Sequence, residues 1–205
     1  MASQDMQEPM LSNVQSLYGI IDAGAPVARS ELMQRRIVVA GFADDGSIVR
    51  GFEAAGPLAS GRKGWYVDLL QPPSATARGE RVVSNPRIRG TVLLVASLIP
   101  PTAGTCDAGG SGFVNALDAF TGASLASPYF DVNGDGKYDD GDKIGSGGGR
   151  VGIGSVDLGV GMPTLPTTIE DLLVVGGSSG NLGSVSTNQQ GGASRRVSWR
   201  EILRD

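Results

Sequence analysis

Histidine is absent from this chain of 205 residues, and cysteine occurs once, at Cys106. Without histidine the chain lacks the commonest general base, cannot build a Ser-His-Asp triad and offers no imidazole to a metal. A single cysteine excludes both a zinc site made of several cysteines and a disulfide within the chain. Cys106 is therefore either a free thiol or paired with a cysteine on another chain.

Charged residues and long apolar runs are also scarce. Charged residues make up 19% of the chain and the net charge is −4, which argues against a nucleic-acid partner. No run of 18 apolar residues occurs, so we expect no transmembrane segment. Residues 1–16 lack the basic start and the long apolar stretch of a signal peptide. A mature secreted protein, or a piece of a longer one, would look the same.

Glycine is abundant instead: 32 glycines and 11 prolines favour turns over helices. Between these breaks lie short β-like runs, so we expect an antiparallel all-β fold of about 8 to 10 strands. The run at 91–99 is almost wholly apolar and should be buried on both faces. The runs are 16–21, 36–40, 47–52, 65–70, 81–83, 91–99, 113–119 and 171–175.

The remaining segments divide into loops, two short helices and a separate N-terminal stretch. Residues 1–15 form an N-terminal segment, for which disorder is one expectation, and residues 16–205 form the folded domain. Short helical segments are expected at 28–34 and 198–204, the second with a serine N-cap and one apolar face. Loops are expected at 71–78, 100–112, 145–150 and 176–194.

Residues 131–142, DVNGDGKYDDGD, have the ligand spacing of an EF-hand-type calcium loop. Gly136 permits the sharp turn, and aspartate replaces the usual glutamate at the last position. A doubly charged hard cation takes six to eight oxygen ligands, and this run supplies most of them. The predicted Ca²⁺ ligands are the side chains of Asp131, Asn133, Asp135, Asp139 and Asp142 and the backbone carbonyl of Lys137.

The charge of this loop supports the same interpretation. It holds five aspartates and one lysine, a net charge of −4 that equals the net charge of the whole chain. Carboxylates at this density repel one another unless a cation lies among them. The alternative is an Asp/Gly-rich solvated turn. Low-affinity calcium sites fill only near millimolar calcium, which favours an extracellular location.

A second motif is ALDAFTG, at residues 116–122. Asp118 can accept hydrogen bonds from backbone N–H groups of the turn that follows, and Gly122 permits a positive φ. Such a turn closes a hairpin between two strands of a propeller blade. An ordinary hairpin of another β-fold is the alternative.

Taken together, segments of this chain resemble, in the same order, the C-terminal β-propeller of the PilY1/PilC family, the calcium-binding tip adhesins of type IV pili. The resemblance covers nearly the whole chain from residue 16 onward. It implies a partial propeller of quinoprotein-like blades, whose missing blades lie upstream in a longer protein, or a truncated homologue. The segments are SLYGIIDAGAPVARSEL (16–32), GWYVDLL and GERVVSNPRIRGTVLLVASLIP (64–100), CDAGGSGFVNALDAFTGASL (106–125), FDVNGDGKYDDGD (130–142) and RRVSWREI (195–202).

The resemblance implies a non-enzymatic module at the pilus tip, outside the cell, that contacts minor pilins and host or abiotic surfaces and responds to calcium. Two other classes share single motifs with this chain. A quinoprotein dehydrogenase fragment would explain ALDAFTG, but no acid–base pair or cofactor cluster accompanies it. A cellulosome-type dockerin needs two calcium loops, each followed by a helix, whereas glycine-rich residues 145–149 follow this loop. A calcium-stabilised extracellular module unrelated to pili also remains open.

Overall fold

The computed structural model describes residues 13–101 and 109–188, which contain strands and three single-turn 3-10 segments. The all-β prediction is confirmed. The 3-10 segments are Arg29–Glu31, Asp140–Asp142 and Gly147–Gly149. The strands are β1 (Ser16–Ile20), β2 (Met33–Arg35), β3 (Ile37–Phe42), β4 (Ile48–Phe52), β5 (Gly64–Asp68), β6 (Leu70–Gln71), β7 (Thr76–Ala77), β8 (Arg87–Arg89), β9 (Val92–Ile99), β10 (Ser111–Asp118), β11 (Phe130–Asp131), β12 (Lys143–Ile144), β13 (Val151–Val156), β14 (Thr167–Ile169), β15 (Leu172–Gly176) and β16 (Leu182–Thr187).

The number of strands exceeds the expected 8 to 10, because several have only two or three residues. The sequence did not reveal two of the longer strands. β16 lies inside the expected loop 176–194, so that loop assignment was wrong. β13 alternates glycine with larger residues, which hides its pattern, and Gly154 is required there: a Cβ would lie 2.6 Å from the Phe52 ring. The expected helix at 28–34 is only the single turn Arg29–Glu31.

The strands form four sheets in the described residues. The largest has the order β3-β4-β13-β10-β9-β8, with β12 beside β13. A four-stranded sheet has the order β11-β16-β15-β14, a three-stranded sheet the order β1-β5-β2, and β6 pairs with β7. Every pair is antiparallel except β2 with β5. The arrangement of these sheets as propeller blades stays a prediction.

The large sheet is the middle layer of the molecule. Val92 and Leu94 of β9 pack in one apolar cluster with Leu173 of β15, in the four-stranded sheet. Leu93, between them, packs in a second cluster with Trp65 of β5, in the three-stranded sheet. Alternate residues of a strand point to opposite faces, so β9 is buried on both faces, as predicted.

The predicted turn after β10 is confirmed, but the hairpin that it was expected to close is not: β10 pairs with β9 and β13, and the next strand, β11, lies in the four-stranded sheet. Oδ1 of Asp118 accepts hydrogen bonds from the backbone N–H groups of Phe120 (3.0 Å) and Thr121 (2.8 Å). Gly122 has φ of 67°, and a Cβ there would lie 2.3 Å from the ring of Trp65. Trp65 is 1% exposed and donates from Nε1 to the carbonyl of Ala119 at 3.1 Å. The turn is therefore built around a buried tryptophan.

Some predictions fall on residues outside the described ranges. These are most of the N-terminal segment 1–15, the thiol of Cys106 and the short helix at 198–204. Within residues 13–101 and 109–188, no helix has the length and apolar character needed to cross a membrane.

Candidate metal centre

The predicted calcium loop connects two layers of the fold. Residues 131–142 lead from β11, which pairs with β16 in the four-stranded sheet, to β12, which pairs with β13 in the large sheet. The flanking elements are the strands β11 and β12, and the single 3-10 turn Asp140–Asp142 lies within the end of the loop. Strands therefore replace the two helices of an EF-hand, and the loop connects the four-stranded sheet to the large sheet.

Asp131 organises the first half of the loop. Its side chain is largely buried, with 8% of the residue exposed. Oδ1 accepts a hydrogen bond from the backbone N–H of Gly134 at 2.7 Å, and Oδ2 accepts one from Gly136 at 2.9 Å. Gly136 has φ of 74°, a left-handed conformation that glycine adopts without strain. The chain consequently turns back around the Asp131 carboxylate.

Asn133 and Asp135 continue the turn with hydrogen bonds that each span only two residues along the chain. Oδ1 of Asn133 accepts from the N–H of Asp135 at 3.0 Å, and Oδ1 of Asp135 accepts from Lys137 at 2.8 Å. In the described part of the chain, Oδ2 of Asp135 and the carbonyl of Lys137 accept no hydrogen bond. These oxygens lie where the sequence predicted calcium ligands, and they remain available to a cation.

Asp142 closes the loop from its far end. It is 0% exposed, and its two oxygens accept from the N–H groups of Val132 (2.8 Å) and Asp139 (3.2 Å). Burial raises the pKa of Asp142; these two hydrogen bonds lower the pKa, and the negative charges of Asp131 and Asp135 raise it further. The buried end of the loop therefore carries negative charge that a cation would compensate.

The outer side of the loop is held by cations that the sequence did not single out. Nζ of Lys143 lies 2.7 Å from Oδ1 of Asp140, and this contact lowers the pKa of Asp140. The guanidinium of Arg150 donates to the backbone carbonyls of Asp140 (2.6 Å) and Lys143 (2.8 Å). The hydrogen bonds of Arg150 within the described residues go to main-chain atoms, which any residue provides, so no side-chain pattern could reveal this contact. Asp139 accepts from the N–H of Gly141 at 2.8 Å.

All six predicted ligand residues lie within this one loop, and their oxygens suit a hard cation such as Ca²⁺. The loop does not present a finished coordination sphere. Among the described residues, no group of three or more His, Cys, Asp or Glu side chains is arranged to hold a metal ion. The donor chemistry therefore fits calcium, while binding would require exposed side chains such as Asp135 and Asp139 to turn inward.

A cleft of about 320 Å³ adjoins the loop. Asp131 and Asn133 lie on one side of it, and Asp45 and Ser47, which precede β4, lie on another. Both carboxylate oxygens of Asp45 already accept hydrogen bonds from Ser47: Oδ1 from its backbone N–H at 2.8 Å and Oδ2 from its hydroxyl at 2.9 Å. The cleft thus exposes the inner edge of the loop to solvent, which gives an ion access.

Comparison with known proteins identifies the family. No family model matches the chain. A type IV pilus biogenesis factor PilY1 homolog of Xylella fastidiosa is 36% identical over 212 residues, covering 100% of this chain. This chain belongs to the PilY1 family. A second PilY1 homolog of the same organism is 28% identical over 151 residues, covering 72% of this chain.

The fold comparison agrees with the PilY1 assignment. The crystal structure of the Pseudomonas aeruginosa PilY1 C-terminal domain matches 88% of this chain with a TM-score of 0.68 and 22% identity. The chain spans 38% of that domain and 16% of the first Xylella relative. It therefore corresponds to part of a PilY1 C-terminal domain, and the family resemblance of the sequence segments is confirmed. The two relatives are named for pilus biogenesis and not for catalysis.

Proposed function

We propose that this chain is the calcium-binding part of the C-terminal domain of a type IV pilus biogenesis factor. The alignment of the whole chain, at 36% identity, with a relative named a type IV pilus biogenesis factor carries the pilus role, and the oxygen donors of residues 131–142 support calcium binding. The role is one of binding and assembly, not of catalysis. A partial PilY1-type propeller at the pilus tip, outside the cell, is the corresponding arrangement, with minor pilins and host or abiotic surfaces as partners.

Calcium is bound by the loop at residues 131–142. Asp131 and Asp142 are the buried anchors, since each already holds the backbone in a closed turn through both of its oxygens. Asn133, Asp135 and Asp139 supply oxygens from the exposed side, directly or through a water, and Lys137 supplies its carbonyl. The accumulated negative charge of the loop favours a divalent cation.

Calcium acts on the fold by fastening two layers together. The loop begins in the four-stranded sheet and ends beside the large sheet, so an ion within it fixes the position of one sheet relative to the other. Sensor EF-hands respond by swinging two helices apart. Strands flank this loop, so calcium orders the loop and opens no groove. By its family role, this ordering would control calcium-dependent pilus extension, retraction and adhesion.

Isothermal titration with calcium tests the site. Asp131→Ala and Asp135→Ala should abolish binding, because each removes a charged ligand. Lys137→Ala should bind like the wild type, since only the carbonyl of that residue is used. Unchanged affinity in Asp135→Ala would mean that the loop is only an acidic turn.

A genetic experiment tests the pilus role separately. The gene in its native cell is deleted and then restored as the wild type, as Asp135→Ala or as Lys137→Ala, and surface pili are counted. We expect deletion to remove most pili, the wild type and Lys137→Ala to restore them, and Asp135→Ala to restore fewer. A normal number of pili after deletion would refute the pilus role while leaving the calcium site intact.

A further inference from the structure

The last turn of the calcium loop has little to hold it in place from within. Residues Asp140–Asp142 form a single 3-10 turn with the sequence Asp-Gly-Asp, and both residue types have low helical propensity. Only Asp142 of this turn is buried, so apolar packing contributes little. The hydrogen bond from the N–H of Asp142 to the carbonyl of Asp139 is long, at 3.2 Å. The turn therefore depends on contacts from outside the loop.

Arg150 makes such a contact from the large sheet. It lies directly before β13, and its Nη2 atom donates to the carbonyl of Asp140 at 2.6 Å and to the carbonyl of Lys143 at 2.8 Å. These two carbonyls lie on either side of Asp142 along the chain. Arg150 thereby ties the turn to β13, although it follows the last predicted ligand by eight residues.

The carboxylate of Asp142 depends on the position of this turn. Its two oxygens accept from the N–H groups of Val132 at 2.8 Å and Asp139 at 3.2 Å, so it joins the two ends of the loop. Asp131 needs no such support, because its two backbone partners lie three and five residues later in the chain. The two buried anchors thus differ: Asp131 is held by its own turn, and Asp142 by a turn that Arg150 fixes.

We propose that Arg150 is a positioning residue for the calcium site: it holds Asp142 in the place from which that carboxylate binds the ion. This inference rests on the proposed calcium function of residues 131–142. A ligand that is already in place binds more tightly, because less conformational freedom is lost on binding. Residues that hold metal ligands in place commonly act in this way, and their loss costs about 10–100-fold in metal affinity.

The charge of Arg150 by itself would have the opposite effect on calcium. The guanidinium contacts the loop directly, and a positive group at that place repels Ca²⁺. If charge governed the affinity, removing the guanidinium would strengthen calcium binding. If positioning governs it, removing the guanidinium weakens calcium binding. The sign of the change in affinity therefore distinguishes the two roles.

Isothermal titration of the whole chain with calcium measures this sign. Arg150 is exposed, so its variants should fold. Arg150→Met keeps a long unbranched side chain but donates no hydrogen bond, and it should raise the Kd about tenfold. Arg150→Lys should lose less affinity, because both bonds come from one nitrogen and an ammonium group also has several N–H donors. An unchanged or lower Kd in Arg150→Met would overturn the proposal.

Two control variants separate positioning from general effects of losing a cation. Arg62 makes the same kind of contact in another part of the fold, since its Nη1 atom donates to the carbonyls of Ser30 (2.7 Å) and Leu32 (3.2 Å). Arg62→Met should bind calcium like the wild type. Lys143→Ala removes a cation that pairs with the exposed carboxylate of Asp140, and it should not raise the Kd. A rise in either control as large as in the Arg150 variant would mean that Arg150 has no specific role.

Amide hydrogen exchange in calcium-free protein tests the positioning without the ion. In Arg150→Met the N–H groups of Val132 and Asp139, whose acceptor is Asp142, should exchange faster than in the wild type, whereas those that donate to Asp131 should not change. Unchanged exchange at Val132 would overturn the proposal. A wild type that binds no calcium would refute the calcium function and this inference with it, whereas calcium binding that survives intact in Arg150→Met would refute only the role of Arg150.

Discussion

Single glycines show how closely this fold is packed around Trp65. The turn after β10 needs the left-handed φ of Gly122, and the indole of Trp65 occupies the space where a Cβ would go. The backbone conformation and the packing therefore both require glycine at this position. Because Trp65 belongs to β5 and Gly122 follows β10, the contact holds the outer three-stranded sheet against the middle one.

Gly122→Ala should lower the free energy of unfolding by about 2–4 kcal/mol, from the left-handed conformation and the overlap with Trp65 together. Gly180→Ala is the matched control. Gly180 has φ of 79°, and a Cβ added there would have no atom within 4 Å, so only the conformational cost of about 1–2 kcal/mol applies. Urea denaturation measures both. Equal losses in the two variants would show that Trp65 moves aside at no cost.

At the scale of elements, a buried polar cluster ties three strands of the large sheet together. Arg50 of β4 is 0% exposed and donates to both carboxylate oxygens of Glu80, at 2.7 and 2.9 Å. It also donates to the side chain of Asn115 in β10, at 3.0 Å, while Ser97 in β9 donates to Glu80 at 2.6 Å. The segment around Glu80 is thereby fixed over one end of the sheet.

This cluster predicts a pH dependence of stability. Burial raises the pKa of Glu80, but the charge of Arg50 and the hydrogen bonds from Arg50 and Ser97 outweigh burial and lower the pKa below its ordinary 4.5. A lowered carboxyl pKa contributes stability that is complete above the unfolded-state value and is lost as pH falls through the folded-state value. The contribution of the pair should therefore be constant at neutral pH and decline below about pH 4.5.

Glu80→Gln tests this by leaving Arg50 buried without its counter-charge, at a cost of about 3–5 kcal/mol at pH 7. The difference in unfolding free energy between wild type and variant should shrink as pH is lowered from about 5 to about 3. Glu31→Gln is the control, because Glu31 also pairs with a cation, Lys63, but on the surface; its effect should be small throughout. A difference that does not change with pH would contradict the assignment.

The calcium loop also yields a prediction at the scale of elements. Because strands flank residues 131–142, calcium should slow amide exchange within the loop and at β11 and β12, and leave far-UV circular dichroism unchanged. Binding of a hydrophobic dye should not increase. A rise in dye fluorescence on adding calcium would instead show that a groove opens, as in sensor EF-hands.

For the whole molecule, calcium binding is a modest stabiliser. With a Kd of about 0.1–1 mM, millimolar calcium adds roughly 0.4–1.4 kcal/mol to the free energy of unfolding. For a chain of this length, that should raise Tm by about 1–5 °C. Thermal unfolding with calcium and with a chelator measures the shift. The Asp135→Ala variant should have the same Tm with calcium and with the chelator. If calcium raised the Tm of this variant as much as that of the wild type, the ion would bind elsewhere.

The sequence predicted the parts of the fold that depend on near neighbours. The spacing of Asp131, Asn133 and Asp135 revealed the turn of the loop, because each side chain bonds backbone two to five residues ahead. Asp118 likewise bonds residues two and three positions later. Burial of 91–99 followed from a run that is almost wholly apolar. In each case the physical cause lies within one short segment, so it is readable without a structure.

Only the tertiary structure decided which distant segments meet. It placed the glycine-rich β13 in the middle of the large sheet and brought Arg50 to Glu80. It also attached the two ends of the calcium loop to different sheets and left β1 without a second neighbour among the described strands. These features depend on strands far apart in sequence, and pairing between such strands is set by mutual burial and register. The sequence by itself therefore determined the all-β class, the turns of the acidic loop and the turn after β10, while packing between layers determined how they are joined.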